Sequence, residues 1–486
     1  MLGTIAFFLW QKYSQPRSIA EILPADETLF FAELRLDENA AHIAAMFDRE
    51  SRTQILGLES LGLKHPENLL SLTENRVGVA FFGEKIDPQK FALIFDYADE
   101  KSVIDFFEQE TFADESLESQ NYLQQKIFYF PQSRSLAFTL FDGNVILAAD
   151  REILQKIAYA IRTPEKRITN SDEFRTLAGK LNPRESFIFA SQAFLEDVLV
   201  NRFTGSSKAL ALPLLDLWSS AGATFSADAG ELRIEVRIML KNSAILSQPL
   251  LAARKLNATA FNLWGEETKI FFANENLTGQ ISKLLAAGGS QNAPLAALTK
   301  SALTQLIHTW LGESFSSEEI AKLFENSSAV GVTQSGGFVA VFEKHLSHLF
   351  EKLKTANGKI AAVEKIVALP DTTPGRELSA NDDTPKVEEE NFASHKITTI
   401  QFPKYHVSFS QLGDISIFAS EKETLEKMIA RFVSEEEFLT SDPASGNIFY
   451  ARLDDAENPL LTAFQFVVAD MNFESDGVKI NFSLQQ

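Results

Sequence analysis

The 486-residue chain contains no cysteine. That absence removes disulfides, thiol nucleophiles, thiolate metal sites and iron–sulfur clusters in one step. It fixes no compartment, since cytosolic proteins and thiol-free surface proteins both show it. Positive charge is scarce as well: 45 Lys and Arg face 66 Asp and Glu, a formal net charge of -21. Such a balance repels phosphate backbones unless a local basic patch intervenes. The densest charge clusters are acidic, Glu388 to Glu390 and Glu435 to Glu437, which is the usual composition of solvated faces. Nucleic acid is not an expected partner. Enzyme signatures are missing too: there is no G-x-S-x-G element and no dinucleotide fingerprint. GGSQNAPLAALTKSAL, Gly288 to Leu303, has Gly-Gly but lacks the second Gly followed by Lys-Ser or Lys-Thr that would cradle a phosphate. No cofactor is expected.

What the chain does have is apolar mass. Hydrophobic residues make up 45% and charged residues 23%, with 41 Phe, so the chain is globular with a sizeable Phe-rich core. Single cores stop growing near roughly 250 to 300 residues, which predicts two or more domains.

The N-terminus opens with LGTIAFFLW, Leu2 to Trp10, followed by a polar spacer through Pro16 and Arg17. Nine residues of helix cover roughly 14 Å, about half the hydrocarbon thickness of a bilayer. No longer stretch approaches the ~20 apolar residues of a spanning helix. The segment also lacks the basic region and cleavage site of a signal peptide. It therefore reads as the tail of a membrane anchor whose beginning lies outside the chain, a short interfacial anchor, or an ordinary buried helix. Trp10, Lys12 and Tyr13 suit a membrane interface and favour the two anchor readings.

After the spacer, strand and helix patterns alternate. TLFFAELR, RVGVAFFG and KFALIFDY have strand composition, and Glu100 to Glu110 carries Val103, Ile104 and Phe107 at helical spacing. Asp142-Gly143 separates two β-rich runs, a hairpin signal. REILQKIAYAI then sets Ile153, Leu154, Ile157 and Ile161 on one helix face. SFIFASQAFLEDVLV joins another strand to a helix, and a hairpin at Asp228 ends in LRIEVRIML, whose alternation predicts an edge or half-exposed strand.

The same order then returns. Phe30, Phe31, Ala32 and Leu36 match Phe271, Phe272, Ala273 and Leu277. RVGVAFFGE from Arg76 has a partner from Ala329. Phe130-Pro131, Phe138, Leu154 and Lys156 match Phe402-Pro403, Phe409, Leu425 and Lys427. Colinear recurrence of five segments predicts an α+β tandem duplication of two similar domains, each a largely antiparallel sheet with helices packed on it. The expected layout is a partial anchor and spacer over 1–20, a first repeat over 21–241, a connector over 242–264 and a second repeat over 265–486. LPDTTPGRELSANDDTPKVEEEN is acidic, rich in Pro and poor in apolar residues, so 369–395 is expected to be a mobile loop. Its shorter counterpart falls near Gln109 to Gln125.

Few residues suggest chemistry. His345 and His348, with Glu351, share a helix face that could in principle offer three metal ligands. The spacing is not the i, i+4 pattern of metalloprotease helices, so exposed helix histidines are expected and no metal. Asp382-Asp383 and Asp454-Asp455 are pairs that an acidic composition produces unaided, with nothing to separate their pKa values for acid–base work. The Phe content fits core packing, with a greasy ligand site as the alternative.

At ILPADETLFFAEL, with Leu23, Pro24, Ala25 and Asp26 following the apolar Leu2 to Trp10, the chain resembles a bacterial family of unknown function. In that family a short membrane anchor precedes an L-P-A-D opening, a strand and a long α+β region. The resemblance implies a membrane-anchored, envelope-facing protein with no established activity; the second repeat, opening on FNLWGEETK, lacks the motif. The expectation is a non-catalytic, membrane-tethered extracytoplasmic protein with a single N-terminal anchor, an envelope protein or lipid as partner, and a binding or structural role. The alternatives are a carrier or sensor of hydrophobic ligands and, third, a hydrolase with an unrecognised carboxylate site.

Overall fold

The computed structural model describes residues 18–35, 69, 72–87, 89–109, 116–130, 136–182, 186–202, 218–228, 230–241, 263–279, 316–356, 363–368, 374–379, 386–401, 406–434, 447–453, 464–474 and 477–485. These residues are mostly antiparallel sheet with a few helices. The chain divides into two compact units. The first is Met1–Ser247 with Leu453–Gln465 and Glu474–Gln486; the second is Gln248–Arg452 with Phe466–Phe473. The first break, between Ser247 and Gln248, falls within 242–264, and Glu474–Gln486 is counted with the first unit.

The first unit runs β1 (Thr28–Arg35), β2 (Thr73–Phe82), β3 (Phe91–Tyr97), α1 (Glu100–Gln109), β4 (Glu118–Tyr122), β5 (Gln125–Tyr129), β6 (Ala137–Phe141), β7 (Asn144–Ala148), α2 (Arg151–Arg162), α3 (Asp172–Ala178), β8 (Ser186–Ser191), α4 (Gln192–Arg202), β9 (Trp218–Asp228) and β10 (Glu231–Leu240). Pairing places the strands in the order β4-β5-β6-β7-β3-β2-β1-β8-β9-β10, and β22 (Gly477–Gln485) follows on β10. Local sequence explains the hairpins and the helix. Asp142 and Gly143 both take positive φ, 48° and 76°, the two-residue turn that Asp-Gly favours. Asp150 then caps α2 by accepting from the Glu152 amide at 2.9 Å, and Ile153, Leu154, Ile157 and Ile161 are buried.

The second unit runs β11 (Thr268–Asn274), α5 (Ser317–Leu323), β12 (Ser328–Thr333), β13 (Phe338–Phe342), α6 (Ser347–Ala356), β14 (Val363–Ala368), β15 (Pro374–Ser379), β16 (Lys386–Phe392), β17 (His395–Gln401), β18 (His406–Leu412), β19 (Ile415–Ala419), α7 (Lys422–Ser434), β20 (Asn447–Arg452) and β21 (Phe466–Glu474). Its order is β16-β17-β18-β19-β13-β12-β11-β20-β21. Each step has the connectivity of the corresponding step in the first unit. β14 and β15 pair only with each other among the described strands.

Two expectations change. Within 369–395, residues Pro374–Ser379 and Lys386–Phe392 are strands, as is Glu118–Tyr122 in its counterpart. A low apolar content does not prevent pairing at an edge, where one partner strand supplies the hydrogen bonds and both faces may stay wet. Of the two readings of LRIEVRIML, the half-exposed strand holds and the edge does not: β10 is mostly half-buried and lies between β9 and β22, with Arg233, Glu235 and Arg237 on its polar face.

The Phe-Phe-Ala match is out of register by one residue. Phe31 sits opposite Ala80 and Phe189, and Phe271 opposite Gly331 and Tyr450; both rings are buried. A register shift follows Thr28 and Thr268 alike. Phe31 therefore occupies the place of Phe271, whereas the sequence identity set Phe30 there, and a slip of one residue in a strand exchanges its faces. The hairpin and helix positions coincide as read: Phe138 faces Leu147, Phe409 faces Phe418, and Leu154 and Leu425 are buried.

Candidate functional site

The most distinctive constellation among the described residues is where the chain enters the first unit. Ile19, Ala20, Ile22 and Leu23 are apolar and have one available core to enter, that of Phe31, Phe174, Phe187 and Phe189. They do so through a single 3-10 turn, Ile19–Glu21, capped by Ser18. Leu23 O then accepts from the Ile168 amide at 2.9 Å, and the Ala25 amide donates to Lys166 O at 2.7 Å. Thr28 closes the leader, its Oγ1 donating to Pro24 O at 2.6 Å. Pro24 lacks an amide hydrogen, so it fits a turn that uses its carbonyl twice, for the Thr28 hydroxyl and, at 3.2 Å, the Thr28 amide. L-P-A-D is thus a docking turn: Leu23 fills the core, Pro24 and Ala25 shape the backbone, and Asp26 pairs with Lys166 at 3.0 Å.

Beneath the turn lies Glu33 of β1, 0% exposed. Its Oε2 accepts from Ser18 Oγ at 2.6 Å and from the Ile19 amide at 3.0 Å. Its Oε1 lies 4.0 Å from Arg76 Nη1 and 3.8 Å from Arg35 Nη2. Arg76, also buried, donates through Nη2 to Asn144 Oδ1 at 2.7 Å, and its amide donates to Asp96 at 3.1 Å. Burial pushes the Glu33 carboxyl above the usual range, outweighing Ser18, Arg76 and Arg35, which pull it down. Burial likewise lowers the Arg76 guanidinium despite Glu33 and Asp96. The facing atoms, Glu33 Oε1 and Arg76 Nη1, are 4.0 Å apart and, like Arg76 Nε, make no hydrogen bond among the described residues, whereas Oε2 and Nη2 are satisfied by Ser18, Ile19 and Asn144. A buried pair so incompletely satisfied costs desolvation that its attraction only partly offsets.

Sequence reading passed over Glu33 and Arg76. A Glu in an alternating strand normally faces water; the one available signal was its parity with Phe31, which put it on the core face.

The second unit covers the same position differently. Trp264 is buried and stacks on Phe271 at 4.8 Å, and Phe271 stacks on Tyr450 at 5.3 Å. At the place of Glu33 it has Ala273, opposite Ala329 and Ile448. The backbone frame nonetheless recurs: Gly83 N donates to Glu27 O at 2.9 Å and Gln334 N to Glu267 O at 2.8 Å, while Ala149 N to Phe91 O at 3.5 Å corresponds to Ser420 N to Phe338 O at 2.9 Å. Glu27 pairs with Lys156 of α2, and Glu267 makes a two-pronged pair with Arg431 of α7, at 2.6 Å to each prong.

Other candidates are dispersed. His345 precedes α6, is exposed, and lies 3.2 Å from Ser347 Oγ; His348 and Glu351 are on the helix and also exposed. Among the described residues no three His, Asp or Glu are grouped to hold a metal ion. Asp382-Asp383, Asp454-Asp455, Gly288 to Leu303 and Leu2 to Trp10 lie outside the described residues. No described helix is long and apolar enough to cross a membrane. Many of the described Phe rings fill cores, as in the stack of Phe107, Phe138 and Phe128 at 4.1 and 4.8 Å, while others, such as the stacked Phe30 and Phe194, are half-buried.

No family model matches the chain, and no curated protein does. Among solved structures it is similar to TP0453. Against crystal form I the identity is 10% over 47% of this chain and 80% of that one, with a TM-score of 0.31. Against crystal form IV the identity is 10% over 50% and 88%, also with a TM-score of 0.31.

Proposed function

We propose that this is a non-catalytic, membrane-tethered extracytoplasmic protein of two related α+β units, acting in binding or envelope architecture. The observation that carries the reading is the leader. Directly after the apolar segment and spacer, Ile19, Ala20, Ile22 and Leu23 are seated in the core of the first unit, and the turn that carries them is tied down by Glu33 and Thr28. A tether joined in this way passes force on the N-terminal segment into packed sheet. The non-catalytic reading is supported by Glu33 and Arg76 themselves, which are buried beneath the leader, away from solvent. An envelope protein or lipid is the proposed partner class. The chain itself is proposed to be a duplication, supported by the step-for-step strand order and the recurring backbone hydrogen bonds, and independent of the Phe-Phe-Ala identity.

Cell fractionation tests the tether. The chain with its native upstream sequence is expected in the membrane pellet, resistant to high salt and released by detergent, and a variant lacking 2–10 is expected in the soluble fraction. Recovery of both in the soluble fraction would overturn the reading.

A further inference from the structure

We propose that the side of β10 covered by the chain's own β22 also takes strand β22 of a second copy of this chain, so that two copies can exchange β22 and form a dimer. The site is within the first unit, and the inference rests on strand register, independently of the tether and of the duplication.

The ladder supplies the fit. Nine residue pairs run from Glu231 opposite Gln485 to Met239 opposite Gly477. On one face Leu232, Ile234, Val236 and Ile238 meet Leu484, Phe482, Ile480 and Val478; on the other, Arg233, Glu235 and Arg237 meet Ser483, Asn481 and Lys479. Opposite residues in an antiparallel pair share a face, so the apolar and polar sides match from Glu231 to Ile238; at the end buried Met239 lies opposite Gly477 on the polar side. Charge adds direction: Lys479 Nζ lies 3.2 Å from Glu235 Oε2, and Ser483 Oγ donates to Glu231 Oε1 at 2.7 Å. Arg237, which would face Lys479 unfavourably, is turned to Glu235 at 3.0 Å and to Glu474.

The occupant must be β22 and not another β10. The ladder is reciprocal, each strand's first residue opposing the other's last, and β10 laid on itself in that register would set Glu235 against Glu235 and Arg233 against Arg237. Like charges directly opposite destabilise a sheet pair. Asn481 and Ser483 remove the clashes at Glu235 and Arg233; Arg237 still faces a like charge, Lys479, and turns to Glu235 and Glu474. Because a second copy presents the same β22, the seat on β10 is equally good in cis and in trans, and concentration decides between them. Effective concentrations for a strand on the same chain are of order mM, so exchange needs high protein concentration or refolding in a mixture.

The absence of cysteine makes the test clean. In the full chain, the double variant Arg233→Cys with Ser483→Cys is oxidised first; a monomer with an internal disulfide is expected, and failure to close would show that the ladder is absent and overturn the proposal. The two single-cysteine full-length chains are then mixed, one differentially tagged, unfolded in urea, refolded together at high concentration and oxidised. A covalent dimer carrying both tags through a 233–483 disulfide is expected. Adding Lys479→Glu to the Ser483→Cys chain is expected to reduce its yield about tenfold, and Glu235→Lys on the partner to restore it. Refolding to monomers alone, or to dimers joined 233–233 and 483–483 in place of 233–483, would overturn the proposal.

Discussion

The two units cover the same patch of sheet with different chemistry. In the first, a leader with four apolar residues, Ile19, Ala20, Ile22 and Leu23, lies over Phe31 and a buried Glu33–Arg76 pair. In the second, one indole, Trp264, lies over Phe271 and Ala273. The strand frame is common to both, and so is the Glu that ties the entering turn to the following helix, Glu27 to Lys156 and Glu267 to Arg431. The comparison teaches that the frame tolerates either an aromatic plug or a polar lock, and that the lock is found where the leader continues to the apolar N-terminus. The indole plug brings one polar group, its Nε1–H, which is buried without a hydrogen-bond partner among the described residues. A buried carboxylate needs several, and in the first unit two of them, Ser18 and the Ile19 amide, belong to the leader.

The largest effects should come from dismantling each solution in turn. Trp264→Ala removes a buried ring and is expected to cost about 3–5 kcal/mol, read from urea midpoints followed by a probe in the second unit. Arg76→Leu leaves Glu33 buried without its guanidinium and should cost a similar 3–5 kcal/mol in the first unit. The double change Glu33→Ala with Arg76→Ser, which writes the second unit's residues Ala273 and Ser327 into the first, should cost less than Arg76→Leu alone. A double variant worse than that single one would break the correspondence between the units.

Acidity should separate the units with opposite sign. The folded-state pKa of Glu33 is raised, so the native state binds its proton more tightly than the unfolded chain does. Ionised Glu33 therefore weakens the first unit above that pKa, and this cost disappears as pH falls through it toward the ordinary carboxylate value. Glu267 is lowered, the Arg431 pair and the backbone overcoming burial, so its contribution is present above the ordinary value and is lost as pH falls through the folded pKa. Glu319, held at about 2 by Lys352 and by the Ser316 amide and hydroxyl of its capping box, behaves like Glu267. The stability difference between wild type and Glu33→Gln should change between pH 7 and pH 4, whereas Glu267→Gln should change most below pH 4.5; urea titrations across that range check both.

Smaller effects lie at paired turns. Leu123-Gln124 joins β4 to β5 and Ala393-Ser394 joins β16 to β17, each with two positive φ values and no glycine: 47° and 65°, then 46° and 68°. Left-handed backbone costs an L-residue roughly 1–2 kcal/mol. Gln124→Gly and Ser394→Gly should each raise stability, by about 0.5–1 kcal/mol after the entropy that glycine adds to the unfolded chain. Equal gains would strengthen the correspondence between the hairpins.

Much of the frame was legible in the sequence because it follows from period and turn chemistry. The alternation of β1, the Asp142-Gly143 turn and the 3.6-residue face of α2 each have one easy solution. Register was not legible: Phe-Phe-Ala matched by identity, but which Phe points inward depends on the shift after Thr28 and Thr268, a backbone event with no composition of its own. The candidate site was half legible. L-P-A-D drew attention as a motif, yet Glu33 gained its meaning only when Ser18 and Arg76, 15 residues before and 43 after, came to lie beside it. The acidic segment misled because edge strands need only a single neighbour, and Glu388 to Glu390 remain exposed while paired.

We propose that the body of the protein sits outside the cytoplasm on a tether that enters the first unit at Ser18. Protease added to intact cells or to spheroplasts expressing the chain with its native upstream sequence tests it most directly. Cleavage before Ser18, releasing a folded fragment of both units into the medium while the apolar segment stays in the membrane, is the expected result. A chain protected in intact spheroplasts and digested only after lysis would contradict it.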